Sequence, residues 1–165
     1  MKLVSKITPC LWFDDQAEEA AKFYSSIFQG SRIGPISRYS DAGQEVHGRA
    51  PGSVMTVEFE LDGAPVMALN GGPHFTFSPA ISLEVHCDSQ AEIDHYWARL
   101  SEGGDPAAQQ CGWLADRYGL SWQIVPRGFA DMIPETPTPA SERAFSAMLG
   151  MKKLDWAALE RAYAE

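Results

Sequence analysis

Glu84 and His86 stand two residues apart in the apolar run ISLEVHC, Ile81 to Cys87. On an extended strand such residues point the same way, about 7 Å apart. A carboxylate beside an imidazole at that spacing is a candidate proton-transfer couple or part of a metal site. The competing reading is a solvated or interfacial pair. His47 lies in the glycine-rich loop DAGQEVHGRAPG and would sit over a site if that loop covers one; otherwise the loop is simply mobile. His74 and Phe75 follow Asn70-Gly71-Gly72-Pro73, which reads as a turn between two strands, and packing is the default role for Phe75. His86-Cys87 is not a zinc motif, because no CxxC or HxxxH accompanies it. Cys10, Cys87 and Cys111 make an odd count with no close pairing, so reduced thiols are expected.

The elements that must carry these residues come twice. Ile7 to Phe13 reads as a strand, Asp14-Asp15 as a cap, and Ala17, Ala20, Ala21, Tyr24, Ile27 and Phe28 recur at helical spacing before Gly30. Ile81 to Cys87 is again a strand, Asp88-Ser89 a cap, and Ile93, Tyr96, Trp97 and Leu100 a helical face before Gly103-Gly104. The two passages align without a gap, Gln16-Ala17-Glu18 on Gln90-Ala91-Glu92 and Gly30 on Gly104, which indicates an internal duplication. Each half continues as strands. The first has Ser31 to Ser40, then Ser53 to Leu61 and Pro65 to Asn70 joined by an Asp62-Gly63 hairpin turn. The second has Ala107 to Leu114 and Leu120 to Val125 joined by the turn Asp116 to Gly119. Alternation sets Val57, Phe59 and Leu61 against Thr56, Glu58 and Glu60, and Ile81, Leu83 and Val85 against Ser82, Glu84 and His86. It also sets Trp122 and Ile124, expected beneath a helix, against Ser121 and Gln123. The facing of Trp113 stays open, because the start of its strand is uncertain.

Composition narrows the partner. The chain has 165 residues, 45% of them hydrophobic, enough for a packed core. A net charge of −9 argues against nucleic acid and against an anionic membrane surface. No apolar run approaches the length of a membrane span. The opening MKLVSKITP reads as the start of a strand and not as a secretion signal, so a cytoplasmic protein is expected. At the other end, Ile133 to Ser141 reads as a Pro/Thr linker. Ser141 is expected to cap a helix bearing Phe145, Met148 and Leu149, and Asp155 a second bearing Trp156, Leu159 and Tyr163. Helices this short need a surface to dock on.

The stretches FDDQAEEAAKFYSSIF, ALNGGPHFTF, CGWLADRYGLSWQIVP and AMLGMKKLDWAALERAY resemble the PhnB-like family, labelled 3-demethylubiquinone-9 3-methyltransferase. That family is part of the vicinal-oxygen-chelate superfamily of glyoxalases, bleomycin-resistance proteins and dioxygenases. The resemblance implies an α+β fold of paired βαβββ modules forming a curved, cup-like mixed sheet, and a homodimer. The modules would cover about 1–74 and 79–126 within a domain 1–130, followed by a helical extension 131–165. Metal enzymes of the superfamily place their ligands near positions that fall here on Thr8, Ala68, Ala80 and Gln123, a set without His or carboxylate. The expected function is therefore binding of a small molecule of unknown identity, with no metal and no cofactor. Trp12, Glu58, Asn70, Glu84, His86, Trp113 and Gln123 are the expected ligand-binding residues. Glu84 and His86 are the catalytic candidates, and enzyme versus binding protein stays open. Two alternatives remain: a metal-dependent enzyme built on Glu58, Glu84 and His86, or a methyltransferase as the family label suggests. Against the second, no helix is expected after Gly71-Gly72 to present backbone N–H groups to a cofactor.

Overall fold

The computed structural model describes residues 6–165. The chain divides after Thr76 into two compact units. The first contains β1 (Cys10–Phe13), α1 (Ala17–Ser25), β2 (Arg32–Arg38), the short α2 (Gln44–His47), β3 (Val54–Leu61) and β4 (Ala64–Asn70). Its sheet runs β1-β4-β3-β2, with β1 and β4 parallel and the other pairs antiparallel. The Asp62-Gly63 hairpin forms as expected. Both residues have positive φ, 47° and 77°, as a two-residue turn between right-twisted strands requires.

The second unit contains β5 (Ser82–Cys87), α3 (Gln90–Ser101), β6 (Trp113–Ala115), β7 (Ser121–Pro126), α4 (Pro139–Leu149) and α5 (Trp156–Ala164). Its sheet has three strands in the order β5-β7-β6, with β5 and β7 parallel. The fold is α+β with two mixed sheets, and the duplication is incomplete. Where Ala107 to Leu114 was expected as one strand, Pro106–Ala108 forms a 3-10 turn and only Trp113–Ala115 is extended. The reason is local. The Asp105 side chain accepts from the Ala107 amide, 2.8 Å, and Pro106 has its φ preset for a helical start.

Three further boundaries differ from expectation. The expected first strand began at Ile7, which falls outside β1, and what lies before Lys6 is outside the described residues. Ile81, assigned to the core, is 71% exposed and precedes β5. The first residue of α1 receives its cap from neither Asp14 nor Asp15: the Ala17 amide donates to Asn70 Oδ1 at 2.8 Å.

In each unit one sheet face packs under a helix. Leu11, Phe13, Val57, Phe59, Leu61, Val66 and Ala68 are buried with Ala17, Ala20, Ala21 and Tyr24 of α1. In the second unit Leu114, Trp122 and Ile124 are buried with Ile93 and Leu100 of α3. Trp122 is 2% exposed, and its indole N–H donates to Asp116 Oδ2 at 2.8 Å. Asp116 is equally buried, and its Oδ1 accepts from the amides of Tyr118 and Leu120, 2.8 and 3.1 Å. The turn therefore carries an internal anion whose acceptors are met by backbone and by the indole, which offsets the cost of removing a carboxylate from water.

The terminal helices dock on their own unit. Met132, Ala144, Leu154 and Leu159 form a small core, with Val125, Phe129, Trp156 and Tyr163 packed against it. Asp155 caps α5, accepting from Ala158 N at 2.9 Å, as expected. The cap of α4 is Thr138 and not Ser141, which sits three residues into the motif and completes a capping box with it. The expected apolar stripe of α4 is largely open, with Phe145 46% and Leu149 50% exposed, because Ala144 and Ser141 take the buried side.

The Asp116 arrangement yields a stability test. Trp122→Ala should cost about 3–5 kcal/mol as a core truncation. Asp116→Asn keeps shape, but in either amide orientation it turns an NH2 toward donors, so it should cost about 2–3 kcal/mol. Urea denaturation measures both, and an Asn variant within about 0.5 kcal/mol of the parent would contradict the described role of the carboxylate.

Candidate functional site

The open face of the second sheet collects most of the chemistry. Register places Glu84 opposite Gln123 on β7, and Gln123 opposite Trp113 on β6. Glu84, Gln123 and Trp113 thus form one row across three strands. The next rows are Ser82 with Ser121 and Ala115 on one side, and His86 with Val125 on the other. Gln123 is half-buried and donates through Nε2 to Ser82 Oγ at 2.9 Å, which orients the amide and leaves its oxygen and second N–H available. The facing of Trp113, undecided by pattern, is fixed by this ladder: it lies with Gln123, while its neighbour Leu114 lies with Trp122 in the core.

Beside this row is a cleft of about 370 Å³ lined by Glu84, His86, Val125, Arg127, Phe129 and Ile133. Its size is in the range of small-molecule sites, and its floor is largely apolar. The 3-10 segment Arg127–Met132, turning off the end of β7, brings Phe129 to the cleft, and Ile133 follows it. Neither residue was among the expected site residues. The signal was available in GFADMI directly after a strand, but pattern alone does not say which way a chain turns on leaving a sheet.

In the first unit the open face carries the rows Cys10–Met67–Glu58 and Trp12–Leu69–Thr56. Trp12 and Glu58 therefore share a face but not a row. Trp12 is held from three sides. Its indole N–H donates to the Gly72 carbonyl at 2.8 Å, Phe75 meets it edge-on at 4.9 Å, and a Cβ on Gly71 would fall 2.2 Å from its ring. Only glycine fits there. Asn70 is placed differently from the other expected ligand residues. Its side chain is buried on the helix side, with Oδ1 on Ala17 N and Nδ2 on the Val54 carbonyl at 3.1 Å, so its polar atoms bind backbone. Ala68 also faces the helix, one register step from the expected ligand position, and its outward neighbours Met67 and Leu69 offer no metal donor either. Thr8 and Ala80 lie outside the strands. His47 is taken up locally, its ring tilted against Tyr39 at 4.5 Å and its Nδ1 accepting from Arg49 N at 3.0 Å.

The fit of these residues to a divalent metal is poor. Among the described residues no group of three or more His, Cys, Asp or Glu is placed to hold an ion. Glu84 and His86 supply one carboxylate and one imidazole without a third partner. The methyltransferase alternative meets a similar difficulty, since Gly71-Gly72 leads through irregular backbone into β5 and not into a helix.

The sequence pattern of the 3-demethylubiquinone-9 3-methyltransferase family matches residues 5–125. The chain belongs to this family. A PhnB protein from Bacillus cereus is 38% identical over 74% of this chain and 99% of its own, with a TM-score of 0.62. A Pseudomonas aeruginosa protein is 22% identical over 73% of this chain and 96% of its own, TM-score 0.56, a likeness of fold. A glyoxalase/bleomycin-resistance/dioxygenase domain from Frankia aligns at 15% identity over 74% of this chain and 91% of its own, with a TM-score of 0.47. No curated protein matches. Among the described residues no helix is long and apolar enough to cross a membrane. The family match ends at Val125, short of the expected likeness over Ala147 to Tyr163, so Phe129 and Ile133 lie beyond it.

A second cleft of about 320 Å³ lies by the end of β5, between Cys87, Asp88, Arg127, Asp131 and Trp156. Burial pushes the Cys87 thiol up to about 12, with Glu92 and then Asp88 adding to the shift, so it is no nucleophile at neutral pH. Arg127 is paired with Asp88 at 2.7 Å. Cys87 should resist a thiol reagent such as DTNB at pH 8 and react once the protein is unfolded. Mass spectrometry of native samples labelled at Cys87 as fast as in denaturant would contradict this.

Proposed function

We propose that this family member is a small-molecule-binding protein whose site is the open face of the second sheet. The row Glu84–Gln123–Trp113 beside the cleft carries the reading. It combines an acceptor-rich polar line, a flat aromatic wall and an apolar floor, the composition ligand sites usually have. The core lies on the other side of the same strands, with Trp122 and Ile124. The proposal includes a homodimer, as the resemblance implies, a cytoplasmic location, as the opening MKLVSKITP suggests, and no resident divalent metal.

Methyl transfer, which the family's name describes, finds no cofactor cradle among the residues named above. Metal chemistry would need a third donor beside Glu84 and His86. Proton transfer by Glu84 and His86 on a bound molecule is compatible with the binding reading and needs no further residue.

The test is a library screen by ligand-observed NMR on the metal-depleted and the untreated protein. Hits should bind both alike, and Gln123→Ala should weaken them while leaving the melting temperature within a few degrees. Elemental analysis showing about one tightly held zinc, nickel, iron or manganese per chain would overturn the metal-free reading, and a monomeric mass in light scattering would overturn the dimer. Hits that bind the Ala variant unchanged would move the site elsewhere.

A further inference from the structure

The open cleft carries a sign as well as a shape. Glu84 and His86 have no hydrogen-bond or ion-pair partner among the described residues, although both line the cleft. Arg127, the permanent cation among the cleft's described lining residues, is paired with Asp88 at 2.7 Å. Beside Glu84, the Gln123 amide has one of its two N–H groups directed to Ser82, and its oxygen and second N–H remain for a ligand. The polar part of the site therefore consists of one unpaired carboxylate and the Gln123 amide, with the His86 imidazole alongside. The apolar part is Val125, Phe129 and Ile133. The chain's net charge of −9 adds a field of the same sign as Glu84.

Resting on the ligand-binding reading of this face, we infer that the cleft takes an organic cation: an ammonium group on a small apolar or aromatic body. The ammonium supplies donors where the site supplies acceptors, and its charge meets the uncompensated carboxylate of Glu84. The body packs on Phe129 and Ile133, and an aromatic face near a cation adds to the attraction. A carboxylate or phosphate ligand would instead face Glu84, and Arg127 would have to part from Asp88 to receive it. A metal ion finds too few donors. Phe129 and Ile133 come after the family match at Val125, so the wall for the ligand's apolar body lies outside the matched segment.

Three probes of one shape separate the possibilities: 2-phenylethylammonium, 2-phenylethanol and 3-phenylpropionate, each titrated at pH 7.5 and low salt into the full chain. The ammonium should bind at least about tenfold tighter than the alcohol, as a charge-assisted hydrogen bond of about 1.5–3 kcal/mol allows. The propionate should bind least. Glu84→Gln should remove most of the ammonium's advantage without lowering the melting temperature. Ile133→Ser, at a half-exposed position, should weaken ammonium and alcohol alike. If the alcohol or the propionate perturbs Gln123 and Trp113 as tightly as the ammonium does, the ligand class is wrong while the binding face stands. If none of the three binds, the inference falls, and the library screen decides separately whether the face binds anything.

Discussion

The second unit depends on the carboxylate of Asp116. A buried carboxylate is costly unless its acceptors are met, and here the Tyr118 and Leu120 amides and the Trp122 indole meet them. The bond to the indole fixes more than the turn. It holds Trp122 under α3, and strand alternation then turns Gln123 outward. With Gln123 outward, its register partners Glu84 and Trp113 must share its side. One internal ion thus decides which side of three strands is core and which side meets solvent. The bulky residues around this polar turn are needed because only a closed apolar shell keeps the carboxylate's bonds from competing with water.

Asn70 has a comparable place in the first unit. Its amide joins the start of α1 to the start of β3, and the Tyr39 hydroxyl donates to its backbone carbonyl at 2.7 Å. The N-terminus of α1 is capped from the far end of the unit, so Asp14 and Asp15 are not needed there. Asp14 instead pairs with Arg49 at 3.0 Å.

The parity of the strands was legible in the sequence, because burial on one side imposes a two-residue period. Val57, Phe59, Trp122 and Ile124 are in the core for that reason, and Glu84, His86 and Gln123 are outside it. What alternation does not encode is where a strand begins. Ile81 has the right side chain for the core but precedes the ladder, and Ala68 was placed one residue out of register. Asp105-Pro106, an acceptor side chain before a proline, is itself a local helical start signal. Partners distant in sequence, such as Asn70 with Ala17, or Asp116 with an indole, leave no local pattern. Nor does the wall formed by Phe129 and Ile133, which depends on a turn in space and not on a period. The extension, whose short helices need a surface to dock on, also supplies Ile133 to the cleft.

The central claim is that Trp122 and Trp113, in adjacent strands, serve opposite sides of one sheet. Indole N–H resonances in ¹⁵N NMR spectra, assigned by single Trp→Phe variants, test it during titration with 2-phenylethylammonium. The account predicts that the Trp113 indole and the Gln123 side-chain amide shift with saturation while the Trp122 indole stays in place, protected from solvent exchange by Asp116. A titration in which Trp122 shifts and Trp113 does not would contradict it.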